Sequence, residues 1–181
     1  MNRIAIIGNA GGGKSTLARR LSEQLNIPLF EVDLHQFQPG WARTPLDELA
    51  AQHEQWLAHP NWIIDGWGGW DNIEKRFSQA DAIVLVDFPF WQHLWWTTKR
   101  HVLAILGLYP HWPPPGCKPW PITKYLYQVM WMIQREMLAH LVSLVYQFDG
   151  QARIVHLRSP RQMKMFLLEI QRYTNHNSSS L

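Results

Sequence analysis

The chain has 181 residues, of which 46% are hydrophobic and 17% charged; this composition excludes a disordered protein and suits one globular domain. Its net charge of +3 is compatible with binding small phosphate-bearing molecules and is by itself too small to predict DNA binding. The single cysteine, Cys117, excludes an internal disulfide and a cysteine-based zinc cluster, and it fits a reducing compartment.

The apolar segments that could direct the chain to a membrane are short or interrupted. Residues 4–7 run directly into glycines and do not resemble a signal peptide. The longest apolar segment, residues 122–148, contains Lys124, Arg135, Glu136 and His140, which favours a helix with one solvated face over a membrane span. We therefore expect a cytoplasmic protein without a membrane partner.

Short apolar runs alternate with helical patterns along the chain. Five runs predict β-strands, at residues 3–7, 28–32, 62–65, 82–86 and 153–157. The first predicted helix begins near residue 14 and has a leucine stripe at 17, 21 and 25; the second runs from an N-cap at Thr44 to about residue 59. Three more helices are predicted at residues 72–79, 91–108 and 122–148, and a last one begins after an N-cap at Ser159.

This alternation predicts a doubly wound α/β fold with right-handed crossovers. The all-apolar run 82–86 favours a parallel sheet that is covered on both faces. The proline-rich residues 109–121 cannot form regular structure and lie where a lid is expected. We expect a single domain at residues 1–175, with the lid at about 109–135 and a disordered tail at 176–181.

A complete G-x-x-x-x-G-K-[ST] motif lies between the first strand and the first helix. In this P-loop the glycines let backbone N–H groups point at phosphate oxygens, and the helix N-terminus adds its positive dipole end. The lysine is placed to bridge the β- and γ-phosphates and the serine to ligate Mg²⁺. The predicted nucleotide-binding residues are Gly8, Asn9, Ala10, Gly11, Gly12, Gly13, Lys14, Ser15 and Thr16.

A P-loop also needs a carboxylate on the metal side, and three aspartates each close a predicted strand: Asp33, Asp65 and Asp87. One or two of them could merely cap the following segment, and Asp87 is at least as suited to that role as to chemistry. Residues 65–68 also fit the D-x-x-G motif of GTPases, but the chain contains no Asn-Lys-x-Asp guanine-binding motif.

The order of these motifs resembles the adenylate kinase and shikimate kinase branch of P-loop kinases. More narrowly, it is similar to the adenylate kinase-related group of DNA topology modulation proteins. The similarity extends to about Tyr173. The residues that carry it are the P-loop, VDLHQFQPGW, IIDG, the Asp87-x-Pro89 motif, PPGC and HLRSP.

The resemblance implies a P-loop NTPase of the nucleoside-kinase type, with ATP and Mg²⁺ as cofactors, strand order 2-3-1-4-5 and a lid. It implies that Asp65, followed by Gly66, holds magnesium through water, and that Asp33 belongs to the acceptor side or the magnesium network. Arg100 falls at the base of the lid, and Arg135 lies beyond it, where a second phosphate-binding arginine is expected. The turn formed by Arg158, Ser159 and Pro160 resembles the one that backs the adenine ring.

The chain departs from adenylate kinases at two positions. Their Pro-Arg pair, which grips the acceptor phosphate, is replaced by Trp67-Gly68, and an arginine that lies over adenine is replaced by Trp96. Both departures argue against AMP as the acceptor. Arg76 could supply a substitute charge, although exposure on a helix is the commoner location of such an arginine.

The sequence therefore predicts ATP- and Mg²⁺-dependent phosphoryl transfer to a small acceptor, with catalytic roles for Lys14, Arg100 and Arg135. Asp33 would orient or deprotonate the acceptor, and His35 is the less favoured alternative. Three tryptophans, Trp41, Trp67 and Trp70, would line a pocket for a flat ring, with packing as the alternative.

Two other functions stay open at this point. The first is a nucleotide-dependent regulator that acts on DNA topology or on a protein partner, although no DNA-reading motif accompanies the scattered basic residues. The second is a degenerate kinase that only binds nucleotide. The sequence does not predict the acceptor or the oligomeric state.

Overall fold

The computed structural model of the protein describes residues 1–109, 113–118 and 120–178, without the side chains of residues 121 and 176–178. One sheet contains the parallel strands β1 (Arg3–Gly8), β2 (Leu29–Glu31), β5 (Trp62–Asp65), β6 (Ala82–Val86) and β7 (Arg153–Leu157), and a separate antiparallel hairpin contains β3 (Phe37–Gln38) and β4 (Ala42–Arg43). The sheet order is β2-β5-β1-β6-β7. Counted over the five parallel strands this is 2-3-1-4-5, so the predicted order is confirmed.

Helices cover both faces of the sheet. They are α1 (Lys14–Leu25), α2 (Val32–His35), α3 (Leu46–Leu57), α4 (Trp70–Gln79), α5 (Phe90–Ile105), α6 (Thr123–Met132), α7 (Leu138–Gln147) and α8 (Pro160–Ser178). On one face, α1 and α8 bury Leu17 and Phe166 in a cluster with strand residues such as Ile6. On the other face, α3, α4 and α7 bury side chains such as Phe77 and Leu141. The doubly wound α/β fold is therefore confirmed.

Strand β1 fixes the position of the site because it is buried between two neighbours. Its residues Ile4, Ala5, Ile6 and Ile7 are fully buried, as expected for a strand that is covered on both faces. In the parallel register, Ile6 pairs with Asp65 of β5, and Gly8 pairs with Val86 of β6. The P-loop and Asp65 thus leave the same edge of the sheet on adjacent strands.

Several predicted boundaries were wrong, and the helix expected at residues 91–108 ends at Ile105. The second strand ends at Glu31, and Asp33 lies in the first turn of α2. Helix α3 begins at Leu46, and the Thr44 hydroxyl donates to His35 O at 2.6 Å instead of capping the helix. The single helix expected at residues 122–148 is divided by a π-helical segment, Ile133–Met137, between α6 and α7.

The lid and the tail lie partly outside the described residues. Within the proline-rich segment, residues 110–112 and 119 are not described, and residues 113–118 form turns without a helix or strand. Helix α8 continues to Ser178, three residues into the expected tail, and residues 179–181 are not described. Among the described residues, no helix is both long and apolar enough to cross a bilayer.

Candidate active site at the P-loop edge of the sheet

At two positions of the P-loop, the backbone packs so closely against neighbouring residues that only glycine fits. Gly11 has a φ of +73°, and a Cβ atom there would lie 2.5 Å from the carbonyl oxygen of His93. A Cβ atom on Gly8 would lie 2.1 Å from the carbonyl oxygen of Val86. Helix α1 then begins at Lys14, so the N–H groups of its first turn face the end of the loop. This arrangement of amides suits an anion.

Helix α5 supports the P-loop through a buried histidine that the sequence analysis did not identify. His93 Nδ1 donates to the carbonyl oxygen of Ala10 at 2.9 Å, because its Nε2 accepts the Phe88 N–H at 3.2 Å. Burial, with a further contribution from Lys14, lowers the pKa of His93 to about 4. The imidazole is therefore neutral near pH 7, and its role is to hold the loop.

Lys14 and Asn9 connect the P-loop to its surroundings. Lys14 is 6% exposed, and its Nζ donates to the carbonyl oxygen of Asn9 at 2.9 Å. The Asn9 Nδ2 donates to the carbonyl oxygen of Met130 in α6 at 3.0 Å. The loop is therefore tied to the lid helix through the Asn9 side chain, and the Lys14 ammonium is held at the loop by the Asn9 carbonyl.

The predicted metal-side pair, Ser15 and Asp65, is in contact. Ser15 Oγ donates to Asp65 Oδ2 at 2.7 Å, while Oδ1 of the same carboxylate is buried and has no hydrogen-bond partner among the described residues. Burial raises the pKa of Asp65 to about 6; Lys14 opposes this shift and Asp33 adds to it. A hydroxyl beside a carboxylate that has an unused oxygen fits Mg²⁺ and its water ligands.

Ser15 and Asp65 alone do not complete the coordination of Mg²⁺, which needs further oxygen ligands. No cluster of three or more His, Cys, Asp or Glu side chains suited to a metal occurs within the described part of the chain. Magnesium usually retains several waters and shares its ligands with substrate phosphates. The donor set of Ser15 and Asp65 therefore fits an ion that arrives with a nucleotide.

The loop after Asp65 is held by Arg76, which is fully buried rather than exposed as expected. Its Nη1 donates to the carbonyl oxygen of Gly66 and its Nη2 to that of Trp67, each at 2.9 Å. Burial lowers the pKa of Arg76 to about 10, and Asp65 and Asp33 oppose the shift, so the guanidinium keeps its charge near pH 7. Arg76 therefore stabilises the loop that follows Asp65, and it does not replace the arginine that binds the acceptor phosphate in adenylate kinases.

A cavity of about 470 Å³ and a larger one of about 760 Å³ adjoin each other above this edge of the sheet. The larger one reaches from the P-loop to the acceptor-side hairpin, and its lining includes Lys14, Ser15, Thr16, Asp33, Arg43, Trp67, Trp96, Arg100, Tyr125 and Met163. The predicted phosphate-binding and acceptor-side groups thus face one space together with Ser15, whereas Asp65 and Gly66 are not among the described lining residues.

The three predicted pocket tryptophans have different locations. Trp67 lines the cavity, and its Nε1 donates to the carbonyl oxygen of Gly8 at 2.8 Å. Trp70 packs edge-on against His140, with 4.8 Å between ring centroids, and is not among the described lining residues. Trp41 also lines the cavity, but its Nε1 donates to the carbonyl oxygen of Lys118 at 2.7 Å. Trp67 therefore supports the P-loop, Trp70 packs against His140, and Trp41 contacts the lid.

The described part of the lid rests on the hairpin. Gly40 N donates to the carbonyl oxygen of Gly116 at 3.1 Å, next to the contact between Trp41 and Lys118. Arg43 donates to the hydroxyl of Tyr125, and its guanidinium lies 5.8 Å from the centre of that ring. These contacts close the acceptor side of the cavity.

Only one of the two predicted lid arginines reaches the cavity. Arg100 lines it; burial lowers the pKa of its guanidinium, and Tyr109 and Asp33 oppose the shift. Arg135 is exposed in the π-helical segment, where its guanidinium lies 5.9 Å from the ring centre of Trp131. The placement of Arg135 at the transferring phosphate therefore does not hold in this conformation, because its side chain points to solvent.

The remaining predicted residues lie beside the cavity. His35 Nδ1 is 3.0 Å from the carbonyl oxygen of Glu31, and its ring packs on Trp56. The Ser159 hydroxyl accepts the Gln162 N–H at 3.2 Å as the predicted cap of α8, and the side chain that reaches the cavity from this region is Met163. The described lining includes none of His35, Arg158, Ser159 and Pro160.

The third strand-end carboxylate belongs to a different network. Asp87 Oδ2 lies 3.0 Å from His156 Nε2, and His156 Nδ1 lies 3.0 Å from the Tyr146 hydroxyl. Asp87 is not among the described residues that line the larger cavity. This location favours the structural role that the sequence left open for it.

Two side chains, Trp96 of α5 and Met163 of α8, adjoin the P-loop beside Gly13. A Cβ atom on Gly13 would lie 3.2 Å from the Trp96 ring and 3.7 Å from the Met163 methyl group. Both side chains line the cavity. Trp96 could have been selected from the sequence, since an arginine that lies over adenine is expected at this position. Met163 has no sequence signal beyond its position one turn after Ser159.

Solved structures share this architecture. A shikimate kinase from Acinetobacter baumannii in complex with shikimate superposes with a TM-score of 0.56 at 12% identity, covering 98% of this chain and 94% of that one. A shikimate kinase from Bacteroides thetaiotaomicron gives a TM-score of 0.52 at 14% identity, covering 96% and 98%. The chain has the fold of a P-loop kinase.

At these identities the likeness establishes the fold and no activity. No protein-family model and no curated protein matches the sequence. The two structures are shikimate kinases, so the narrower resemblance to DNA topology modulation proteins stays a prediction.

Proposed function

We propose that the protein transfers the γ-phosphoryl group of Mg·ATP to a hydroxyl or phosphate group of a small acceptor. The observation that carries this proposal is the shared cavity, in which Lys14, Ser15 and Thr16 of the P-loop face Asp33 and Arg100. In-line phosphoryl transfer needs positioning and charge neutralisation more than covalent chemistry, and this lining supplies both.

Each residue has a distinct task in this proposal. The P-loop amides and Lys14 bind the β- and γ-phosphates, and Ser15 and Asp65 hold the magnesium ion with its waters. Bound Mg²⁺ neutralises the negative charge that develops between these two phosphates. Arg100 adds positive charge from the lid side, and Asp33 orients the acceptor hydroxyl or takes its proton.

The nucleotide base is assigned to the space between Trp96 and Met163, beside Gly13. A tryptophan face stacks on any base, which makes this contact tolerant of base identity. Arg135 has no task in the proposal because its guanidinium lies over Trp131 on the exposed side of the lid helix.

The acceptor side combines one carboxylate, Asp33, with two guanidinium groups, Arg43 and Arg100. This combination suits a hydroxylated molecule that carries an anionic group, since the carboxylate can accept a hydroxyl proton while the arginines bind the anion. Shikimate, which the related Acinetobacter baumannii structure contains, has this chemistry and is the first acceptor to test.

The deciding experiment measures ADP formation against a panel of acceptors. The panel contains shikimate and other hydroxy acids, polyols, nucleosides and nucleoside monophosphates, with mass spectrometry of the phosphorylated product. We expect one class to raise ADP formation at least about tenfold, with Lys14→Met as the inactive control. Hydrolysis that no acceptor increases would contradict the proposal, and hydrolysis that duplex DNA increases would favour the regulator.

A further inference from the structure

Helix α5 has an apolar face on the side that points to solvent. Trp91 is 66% exposed, Trp95 62%, Val102 50% and Leu106 63%. Leu94 and Ile105, which are also exposed, fall on the same stripe, since residues three and four apart share one side of a helix. We call these six side chains the outer face of α5: Trp91, Leu94, Trp95, Val102, Ile105 and Leu106.

The opposite side of the same helix is polar and buried. His93, Thr97 and His101 are at most 5% exposed, and Arg100 on this side lines the cavity. A surface helix in a globular protein normally has the reverse arrangement, with its apolar stripe towards the core and its polar side towards water. Helix α4 follows that rule: Ile73 and Phe77 are buried, and Asp71 and Glu74 are exposed. The inverted pattern of α5 therefore indicates a surface that contacts something other than water.

Helix α6 extends this surface. It runs antiparallel to α5, with contacts between Phe90 and Trp131 at 5.4 Å between ring centroids and between Thr98 and Tyr127 at 2.8 Å between hydroxyl oxygens. Trp131 is 52% exposed, and Trp120, just before α6, is 76% exposed. The surface is therefore broader than a single helix and contains tryptophans from both.

The segment of chain that forms this surface carries basic residues and no acidic ones. The chain contains 14 acidic residues, and none of them lies between Asp87 and Glu136. The same segment contains five basic residues, Lys99, Arg100, Lys118, Lys124 and Arg135. Lys124 of α6 is exposed, and so is Arg135, whose guanidinium lies 5.9 Å from the ring centre of Trp131, whereas Lys99 lines the larger cavity. Apolar and tryptophan side chains are thus combined with positive charge, the pattern of helices that lie in the surface of an anionic bilayer.

We propose that the outer face of α5, together with Trp131, docks the protein on the surface of an anionic phospholipid bilayer. The tryptophans enter the interfacial region, and Lys124 and Arg135 approach the lipid phosphates. A second copy of the chain fits this surface less well, because a two-fold symmetric contact would bring the basic residues of both copies into one interface. The proposal does not depend on the activity of the nucleotide site, and it departs from the expectation of no membrane partner, which rested on the lack of a spanning segment.

The test is sedimentation of the full chain with vesicles of phosphatidylcholine alone or with about one third phosphatidylglycerol. We expect at least tenfold stronger partitioning into the anionic vesicles, and a large loss of binding at high salt. The double variant Trp91→Gln/Trp95→Gln is expected to bind at least tenfold more weakly. Lys124→Gln is expected to reduce binding about fivefold, because one basic residue near an anionic surface contributes about that factor.

The matched control changes exposed apolar residues on α8, with Met165→Gln/Leu168→Gln, and is expected to leave vesicle binding unchanged. All variants are checked for the thermal unfolding temperature and for binding of a fluorescent ATP analogue, so that a misfolded variant is recognised. Three results would overturn the proposal: no binding of the wild type to anionic vesicles at low salt, equal binding by the tryptophan variant, or a dimer in light scattering that the tryptophan substitutions dissociate without any vesicle binding.

Discussion

The phosphate side and the acceptor side of the cavity are built in different ways. Asp65 is the last residue of β5, and Lys14 and Ser15 begin helix α1 after the loop that leaves β1. Strands β1 and β5 are adjacent, in a fixed parallel register, and β1 is buried. Asp33 lies in a four-residue helix, Arg43 in a two-residue strand, and Arg100 in a helix that precedes the lid. The proposed phosphate-side groups thus lie at the edge of the sheet and at the start of α1, and the proposed acceptor-side groups lie on short, separate segments.

The largest effect is expected on the phosphate side. Replacing Lys14 by Met removes the only ammonium group among the P-loop residues, which already lies over the loop. We expect phosphoryl transfer to fall by at least about 10³-fold, because the charge on the transferring group loses its closest partner. ADP formation with the best acceptor measures this. A variant that retains more than a tenth of the activity would show that the P-loop is not the catalytic centre.

A comparison of two arginines tests the acceptor side. Arg100→Met should lower the rate of transfer about 10²-fold, because Arg100 lines the cavity, whereas Arg135→Met should change it less than about threefold, because Arg135 lies over Trp131. The kcat of each variant at saturating ATP is the measurement. Equal losses in both variants would mean that the lid rearranges and brings Arg135 inwards during the reaction.

The same difference explains which residues the sequence could predict. The P-loop motif and the aspartate at the end of β5 depend on local strand patterns and on strand order, and their contact at 2.7 Å follows from both. The hydrogen bonds from His93 to Ala10 and from Asn9 to Met130 join residues that are far apart in the chain. No rule of sequence spacing predicts such contacts. The sequence predicted one continuous helix over residues 122–148, so the π-helical segment that contains Arg135 was missed.

Arg76 offers a way to separate stability from catalysis on the phosphate side. Its replacement by Met leaves the carbonyl oxygens of Gly66 and Trp67 without their donors in a buried site. We expect the free energy of unfolding in urea to fall by about 2 kcal/mol, with Arg76→Lys intermediate because one ammonium cannot bond both carbonyls as a fork does. An exposed helix arginine such as Arg172 is the control, expected to change stability by less than about 0.5 kcal/mol.

The smallest effect is a pH dependence confined to the metal side. Burial raises the pKa of Asp65 to about 6 in the free protein, and Mg²⁺ requires the carboxylate. Binding of Mg·ATP must therefore displace a proton below pH 6, and its affinity should weaken by up to about tenfold per pH unit as the pH falls from 6 to 5. Titration with a fluorescent ATP analogue and Mg²⁺ between pH 5 and pH 8 measures this.

The stability of the nucleotide-free protein should change in the opposite direction with pH. The folded pKa of Asp65 lies above its ordinary value of 3.8, so the folded state binds more protons than the unfolded state between these values. The Asp65 contribution therefore raises the free energy of unfolding as the pH falls through 6 towards 4. Asp65→Asn should remove both dependences together, because both come from one carboxyl group. If the variant retained the pH dependence of Mg·ATP binding, the proton would belong to another group, and Asp33 on the acceptor side would then be the first to replace.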